Sequence, residues 1–558
     1  MNPLIAITSC DRLTPDSGAS RYQHLVYISA RPDAHHGIVR LNSRTAGLRA
    51  GRPRSAMIKE TRSSSPRRRM GVHSTVPAMK VSRRHLIRMG AAVASARAAI
   101  TQSAGRDAAE AGIATLTPNP NRRLLLKGGT IVSMDASVGD LAQGDILIQG
   151  KKIAAIGANL RVSGPAPRVI DASNTILIPG FVDCHRHSWE GVLRRIIPNG
   201  DIAKYTATTH QGFGPYYRPH DVYVGNLITA LGCIDAGITC VIDNSHNSRT
   251  AEHSDAAVQA LFDSGIRAVH ASGAPQAGNW DQQWPEDLER LQKRFFSSND
   301  QLVTLRMFSP LDRTNYAVAR KLGLRITTEF QGAAGRMLEQ FSNEKLLGPD
   351  ITYNHCGGLA DLTWQYIRDS GGTVNVCPRS DPQYGLGEGF PAFQKALDHG
   401  LRPGLSVDNE VSYGTDMFTE MRVLFNIQRA VAANRKLNGD ANPPKPVNVR
   451  DLLECATLNG AACAGLTAKC GSLSPGKEAD IVMIRADDIN LYPSNNALGT
   501  VVAAADIKNI DTVIIGGVIR KSGGKVLEVN WPKLRSQIDE SRNYLFQKAG
   551  YKLDIFSA

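Results

Sequence analysis

Short apolar runs interrupted by turns begin at Arg123. The stretches "RLLLKGGTIVSMD", "GDILIQGKKIAAIG" and "RVIDASNTILIPG" alternate apolar and polar positions and are punctuated by Gly and Asp-Ala turns, which predicts the strands of a small antiparallel β unit. A similar pattern returns near the C-terminus in "GSLSPGKEADIVMIRA" and "IDTVIIGGVIRKSGGKVLEV". Two β-rich flanks around a long middle predict one β-sandwich drawn from both ends, residues 123–180 plus 465–535, with 536–558 as a C-terminal tail. Residues 181–464 have another rhythm. Strand-like runs ("ITCVID", "IRAVHAS", "QLVTLRMFS", "GLRITTEF", "ITYNHC", "GTVNVCP", "LRPGLSVD") alternate with helix-like segments such as "HDVYVGNLITALGCIDAG", "PEDLERLQKRFF" and "LADLTWQYIRDSG". That repetition predicts an α/β fold of the (β/α)8, TIM-type barrel class. A doubly wound open sheet is the alternative, but no Gly-rich phosphate loop follows any strand.

In such a barrel, chemistry sits where strands end. The predicted ends carry His185 and His187, Asp243, Glu329, His355 and Asp408. Side chains on a strand alternate with period two, so the histidines of "PGFVDCHRHSWEG" share a face and can reach one ion together. Imidazole and carboxylate donors suit Zn, Fe(II), Co or Mn better than Ca or Mg. An isolated HxH is weak evidence, and histidine and aspartate at later strand ends make it strong.

Charge narrows the function. The 558-residue chain has a formal net charge of +14, but residues 1–122 hold 20 Lys+Arg against 6 Asp+Glu, leaving 45 of each in the remainder. A neutral body has no basic footprint for nucleic acid. The basic leader is rich in Arg, Ser, Ala and Pro without sustained periodicity, the composition of a disordered or processed segment. Within it, residues 79–104 read "MKVSRRHLIRMGAAVASARAAITQSA", where Arg83-Arg84 and an alanine-rich run resemble a twin-arginine export signal interrupted by Arg97. Use of that signal, with Met79 as a natural start, predicts a periplasmic or exported protein; otherwise the chain is cytoplasmic. The nine cysteines are odd in number and form no CxxC pair, so neither a disulfide framework nor a zinc ribbon is expected. No run is long and apolar enough to predict membrane insertion.

The order "PGFVDCHRH", "AGITCVID", "NHC", "VCPRSD" with "LSVDNE", and "TLNGAACAGL" with "GSLSPGKEADIVMI" resembles the amidohydrolase superfamily. Within it, the chain is most similar to the branch of cytosine, guanine and methylthioadenosine deaminases and triazine chlorohydrolases. The resemblance covers about residues 123–525. It implies a metal-dependent barrel that hydrolyses an sp2 carbon of a small molecule with a metal-activated water, in dimers or larger homo-oligomers. By position it implies His185 and His187 as strand-1 ligands, His355 as the strand-6 histidine and Asp408 as the strand-8 aspartate. Binuclear relatives need a bridging Lys or Glu on strand 4; "LVTLRMFSP" has neither, so one divalent metal is expected, Zn before Fe or Co.

Strand 5 departs from the branch. Its deaminases place a ligand histidine there and a catalytic glutamate three residues on, where "ITTEFQG" has Glu329 and Gly332. The expected ligands are therefore His185, His187, Glu329 and Asp408, with Asp408 and His355 catalytic. Trp189, His210 and Glu410 are the substrate-binding candidates, each weighed against ordinary packing or a solvated loop position. Asp243 more often holds a turn, His220 and His246 read as surface or lid residues, and Asp416, Glu420 and Arg422 as structural. The expected activity is hydrolysis of a non-peptide C–N bond (amide, carbamate, urea or amidine type) of a small planar molecule. Two other readings stay open: deamination or dechlorination of an N-heterocycle, and a catalytically silent binding protein.

Overall fold

The computed structural model describes residues 119–556 apart from residue 331, so the twin-arginine segment, Met79 and Cys10 lie outside the described residues. The chain opens with β1 (Arg123–Ile131), β2 (Leu141–Gln149), β3 (Lys152–Gly157), β4 (Arg168–Asp171) and β5 (Thr175–Pro179). It then builds β6 (Phe181–Arg186), β7 (Ile238–Ser245), β8 (Arg267–Ser272), β9 (Val303–Phe308), β10 (Ile326–Phe330), β11 (Ile351–His355), β12 (Thr373–Val376) and β13 (Gly404–Leu405). β14 (Ile481–Arg485), β15 (Ile510–Ile515), β16 (Val518–Ser522) and β17 (Lys525–Val526) complete the flanks.

Strands β6 to β13 pair in sequence order, each parallel to its neighbour, with helices between them. The ring closes where the His187 N–H donates to the Asp408 carbonyl at 2.8 Å and the Asp408 N–H to the His185 carbonyl at 2.9 Å. Every residue of β6, β7, β8 and β11 is buried, as a parallel sheet covered on both faces requires. Val182, Cys184, Cys240, Ile242, Val269 and Ala271 fill one core cluster, and the other faces of these strands, with Phe181, Val241 and Ala268, join a second. The eight described cysteines are buried free thiols.

Strands of both flanks join in one continuous nine-stranded sheet. Its halves meet where β14 runs antiparallel to β5, Ile481 opposite Pro179 and Arg485 opposite Thr175. Leu124, Leu126, Ile146 and Ile148 of the first half share a core with Ile481, Met483, Ile514 and Ile519 of the second. Beyond the sheet, Trp531–Lys548 form a helix with Pro532 in its first turn, capped where the Asn530 side chain accepts from the Lys533 N–H. Phe546 and Tyr551 meet the Phe213 ring at 5.5 and 5.2 Å, which ties the C-terminus to the loop after β6. Among the described residues, no helix is long and apolar enough to cross a membrane.

Candidate metal centre

The first and last strands of the ring are neighbours, so donors far apart in sequence meet at the closure. The β6–β7 register slips between Asp183 and Arg186, where three residue steps oppose two. Such a bulge re-aims side chains. Cys184 stays in the inner cluster while His185 and His187 turn toward Asp408, and Arg186 between them pairs with Asp183 and Glu410. His185 Nε2 lies 3.1 Å from Asp408 Oδ1 and 3.7 Å from Glu329 Oε1, and His187 Nε2 lies 3.4 Å from Asp408 Oδ1. His355 Nε2 faces Glu329 Oε1 at 3.2 Å while its Nδ1 bonds Asp381 Oδ1 at 2.8 Å.

Backbone strain helps to aim these groups. His355 and Asp408 hold left-handed φ values of 63° and 79°, a conformation costly for residues with a Cβ and concentrated at functional sites. At His355 this turn lets consecutive residues serve one site, since Asn354 Nδ2 lies 2.8 Å from His185 Nδ1. Asn244 reaches the same nitrogen, and its carbonyl lies 2.9 Å from His187 Nδ1. An Nδ1–H on each imidazole leaves Nε2 as the nitrogen turned to the carboxylates and open to ligation, and an amide turned by half a turn supplies the matching oxygen at His185. Ser380 Oγ and Asn409 Nδ2 both donate to Asp408 Oδ2, leaving Oδ1 toward the histidines.

These residues fit a divalent cation. His185 Nε2 is sealed from solvent and makes no aligned hydrogen bond, although two carboxylates stand beside it. A buried imidazole nitrogen without a partner is costly, and a cation bridging it to the carboxylates removes that cost. The donors gather as His185, His187 and Asp408, and as His185, Glu329 and His355. Burial would raise the Asp408 carboxyl, but the His185 and His187 imidazoles beside it hold it well below its usual range. Glu329 is brought down to about 2, because His185 and the bond from His355 outweigh burial. Burial pushes His187 down, but Asp408 and Glu329 prevail and lift it to about 9. His355 is likewise raised against burial, by Cys377, Asp381 and Glu329. Burial lowers His185.

The structure thus brings together His185, His187, Glu329, His355 and Asp408. His210 joins them in a wall over His187, in the π-helical turn Thr206–Phe213, with its ring 5.0 Å from Tyr205 and 4.5 Å from His246. Two of the substrate-binding candidates have partners within the protein. Glu410 is fully buried and its carboxylate is held by Arg186 at 3.1 Å and Arg194 at 2.8 Å, so it braces the loops. Trp189 is also fully buried; its indole N–H donates to His246 Nδ1 at 3.2 Å, and it supports the wall from behind. Asp243 takes the structural role, accepting from the Ser188 N–H and pairing with His270. His220 lies beside Glu540, Asp416 caps a helix, and Glu420 pairs with Arg379.

Asn244, Asn354, Ser380, Asp381 and Asn409 were missed as supports. "NHC" and "VCPRSD" contained three of them, but only the folded ring shows which ligand each one braces. At strand 5, a Cβ on Gly332 would lie 2.7 Å from the Gly358 carbonyl oxygen, so the loop after β11 closes off the place of the missing glutamate.

The barrel thus gathers two histidines at the end of its first strand and a carboxylate after its last. Residues 319–520 match the profile described as "Amidohydrolase family", and the chain carries an amidohydrolase domain. It is 26% identical over 436 residues to the 5-methylthioadenosine/S-adenosylhomocysteine deaminase of Pyrococcus abyssi, covering 74% of this chain and 96% of that one. It is 24% identical over 445 residues to the 5'-deoxyadenosine deaminase of Methanosarcina acetivorans, covering 75% and 96%. Among solved structures it is similar to an adenosine deaminase from Xanthomonas campestris with bound zinc (TM-score 0.66, 18% identity, 77% of this chain and 100% of that one). It is also similar to an atrazine chlorohydrolase from Arthrobacter aurescens complexed with zinc (TM-score 0.62, 20% identity, 75% and 100%).

Proposed function

We propose that the protein hydrolyses an amide, carbamate, urea or amidine C–N bond in a small planar molecule, with His185, His187, Glu329 and Asp408 holding one divalent metal, zinc foremost. The observation that carries this reading is the sealed, unpartnered His185 Nε2 between the Asp408 and Glu329 carboxylates. When bound, the metal supplies a Lewis acid that makes a water easier to deprotonate. Asp408, fixed through Oδ2 by Ser380 and Asn409, takes the proton of the attacking water. His355, with Nδ1 held by Asp381, presents Nε2 as a donor to the oxygen that gains negative charge. Asp408 or His355 then returns a proton to the leaving nitrogen. Position 332 holds no acid, so the site favours a leaving group that needs little protonation.

The names of the relatives favour a second reading, hydrolytic deamination of an N-heterocycle. Ammonia release from nucleobases, adenine nucleosides and triazines, measured beside amine release from anilides and phenylureas, separates the two. Near-stoichiometric zinc, iron or cobalt after dialysis is the expected result. Protein that takes up no metal under any loading condition would be the silent barrel, and the hydrolase reading would fail.

A further inference from the structure

The wall over His187 contains a hydrogen-bond donor that the hydrolytic steps leave unused. His246 directly follows β7, is 2% exposed, and stacks on the His187 ring with centroids 4.2 Å apart and planes 25° apart. Its Nδ1 lies 3.2 Å from the Trp189 indole nitrogen. An indole N–H can only donate, so Nδ1 is the unprotonated nitrogen and the ring's single proton sits on Nε2. Among the described residues nothing pairs with that Nε2–H, and unlike His185 Nε2 it is not sealed from solvent. The ring's other neighbours are His210 at 4.5 Å and Phe308 at 5.7 Å, and no charged group bonds to it.

Resting on the hydrolase reading, we propose that His246 is the substrate-orienting residue, its Nε2–H holding an sp2 acceptor, a ring nitrogen or a carbonyl oxygen, of a planar substrate beside the metal. Trp189 makes this selective. With the tautomer fixed, the ring cannot turn into an acceptor, so a substrate presenting N–H or C–H at that point leaves a buried donor unpaired and binds less well. The stack on His187 places the donor beside a ligand of the reacting centre, so the acceptor it takes stands close to the carbon attacked.

Two probes separate the acceptor types: purine, with ring nitrogens and no carbonyl, and 1-indanone, with a carbonyl and no ring nitrogen. Equilibrium dialysis on the metal-loaded full chain is expected to show one or both binding. His246→Phe keeps a flat ring but removes the donor, and should weaken that binding about tenfold or more at unchanged metal content. His246→Gln, which restores an N–H near the Nε2 position, should recover it to within about threefold, a rescue that a merely structural ring would not give. Trp189→Phe frees the tautomer and should fall between the two. On any substrate that is turned over, His246→Phe should raise KM more than it lowers kcat. Binding of neither probe by the wild-type protein, or equal binding and equal KM in His246→Phe, overturns the proposal and leaves the hydrolase reading intact. Absence of turnover with His246-dependent binding would instead sink the hydrolase reading and support the donor.

Discussion

In the proposed centre, Glu329 would set how acidic a bound metal can be. A carboxylate in a ligand place adds negative charge, and an anionic ligand makes a bound metal a weaker acid than a neutral imidazole does. Glu329→His should therefore leave metal content unchanged or raise it, read by atomic emission after dialysis; loss of metal would show that the glutamate itself is required. His187 gives the centre a pH dependence. Its folded pKa of about 9 means that it carries a proton at neutral pH, and ligation must expel that proton. Apparent zinc affinity should rise about tenfold per pH unit from pH 6.5 toward 9, with proton release visible as buffer-dependent binding heat; a flat profile would show that His187 does not ligate. Glu190 behaves in the opposite sense. It is fully buried, accepts from the Tyr205 hydroxyl at 2.6 Å, has its other oxygen sealed and unpartnered, and burial pushes it up to about 8. A carboxyl whose pKa is raised on folding destabilises the fold as pH climbs from its unfolded value toward its folded one, by at most about 1.4 kcal/mol per unit. Glu190→Gln lacks that loss, so its thermal midpoint relative to wild type should improve steadily between pH 5 and pH 8. A constant difference would show that the carboxyl is already ionised in the native protein.

The elements themselves were legible because parallel strands buried on both faces must be short and apolar, and each of the seven barrel runs read after the first strand contains or overlaps one of β7 to β13. The HxH pair was legible as two imidazoles close in sequence at a strand end, although the bulge, not strict alternation, turns them toward Asp408. What local pattern could not show is how the strands end. The bulge before Arg186, the left-handed turn at His355 and the π-helical turn under His210 all answer to neighbours distant in sequence. The partners of Trp189 and Glu410 were hidden for that reason: His246 engages the indole and two arginines the carboxylate. The loops after β10, β11 and β12 interlock through Gly332, Gly357, Gly358 and Gly387. Gly387 has φ 60°, and a Cβ there would press into the Gly357–Gly358 backbone. Gly387→Ala should cost about 2 kcal/mol or more and weaken metal retention, because the loop it displaces follows directly on His355. Gly400 is the control: its φ is 76° but nothing lies within 4 Å of the missing Cβ, so Gly400→Ala should cost only backbone strain, about 1 kcal/mol, with metal content unchanged. Equal midpoints and equal metal in the two variants would show that the glycine contact does not hold the site.

At the scale of the whole molecule, the two flanks and the barrel must fold as one body, since neither flank alone completes the nine-stranded sheet. Arg267 fastens that body together. It opens β8, at the end of the barrel opposite the metal centre, and its buried guanidinium bonds Asp480 at 2.7 and 2.9 Å and Glu478 at 2.7 Å, just before β14. Asp480 also accepts from the Gly516 N–H at 2.8 Å, so a single arginine links the barrel to two strands of the C-terminal flank. Such a pair is weak evidence of net stabilisation, but removing one partner strands buried charge. Arg267→Met should lower unfolding stability by about 3–5 kcal/mol in urea. Arg267→Lys should recover only part of that loss, because one ammonium cannot repeat the forked geometry across two carboxylates. Combining Arg267→Met with Asp480→Asn and Glu478→Gln removes the stranded charge and should restore much of the difference. Metal content per folded molecule should be the same in all of these proteins. Metal lost from folded Arg267→Met would mean that the floor of the barrel controls the geometry of its mouth.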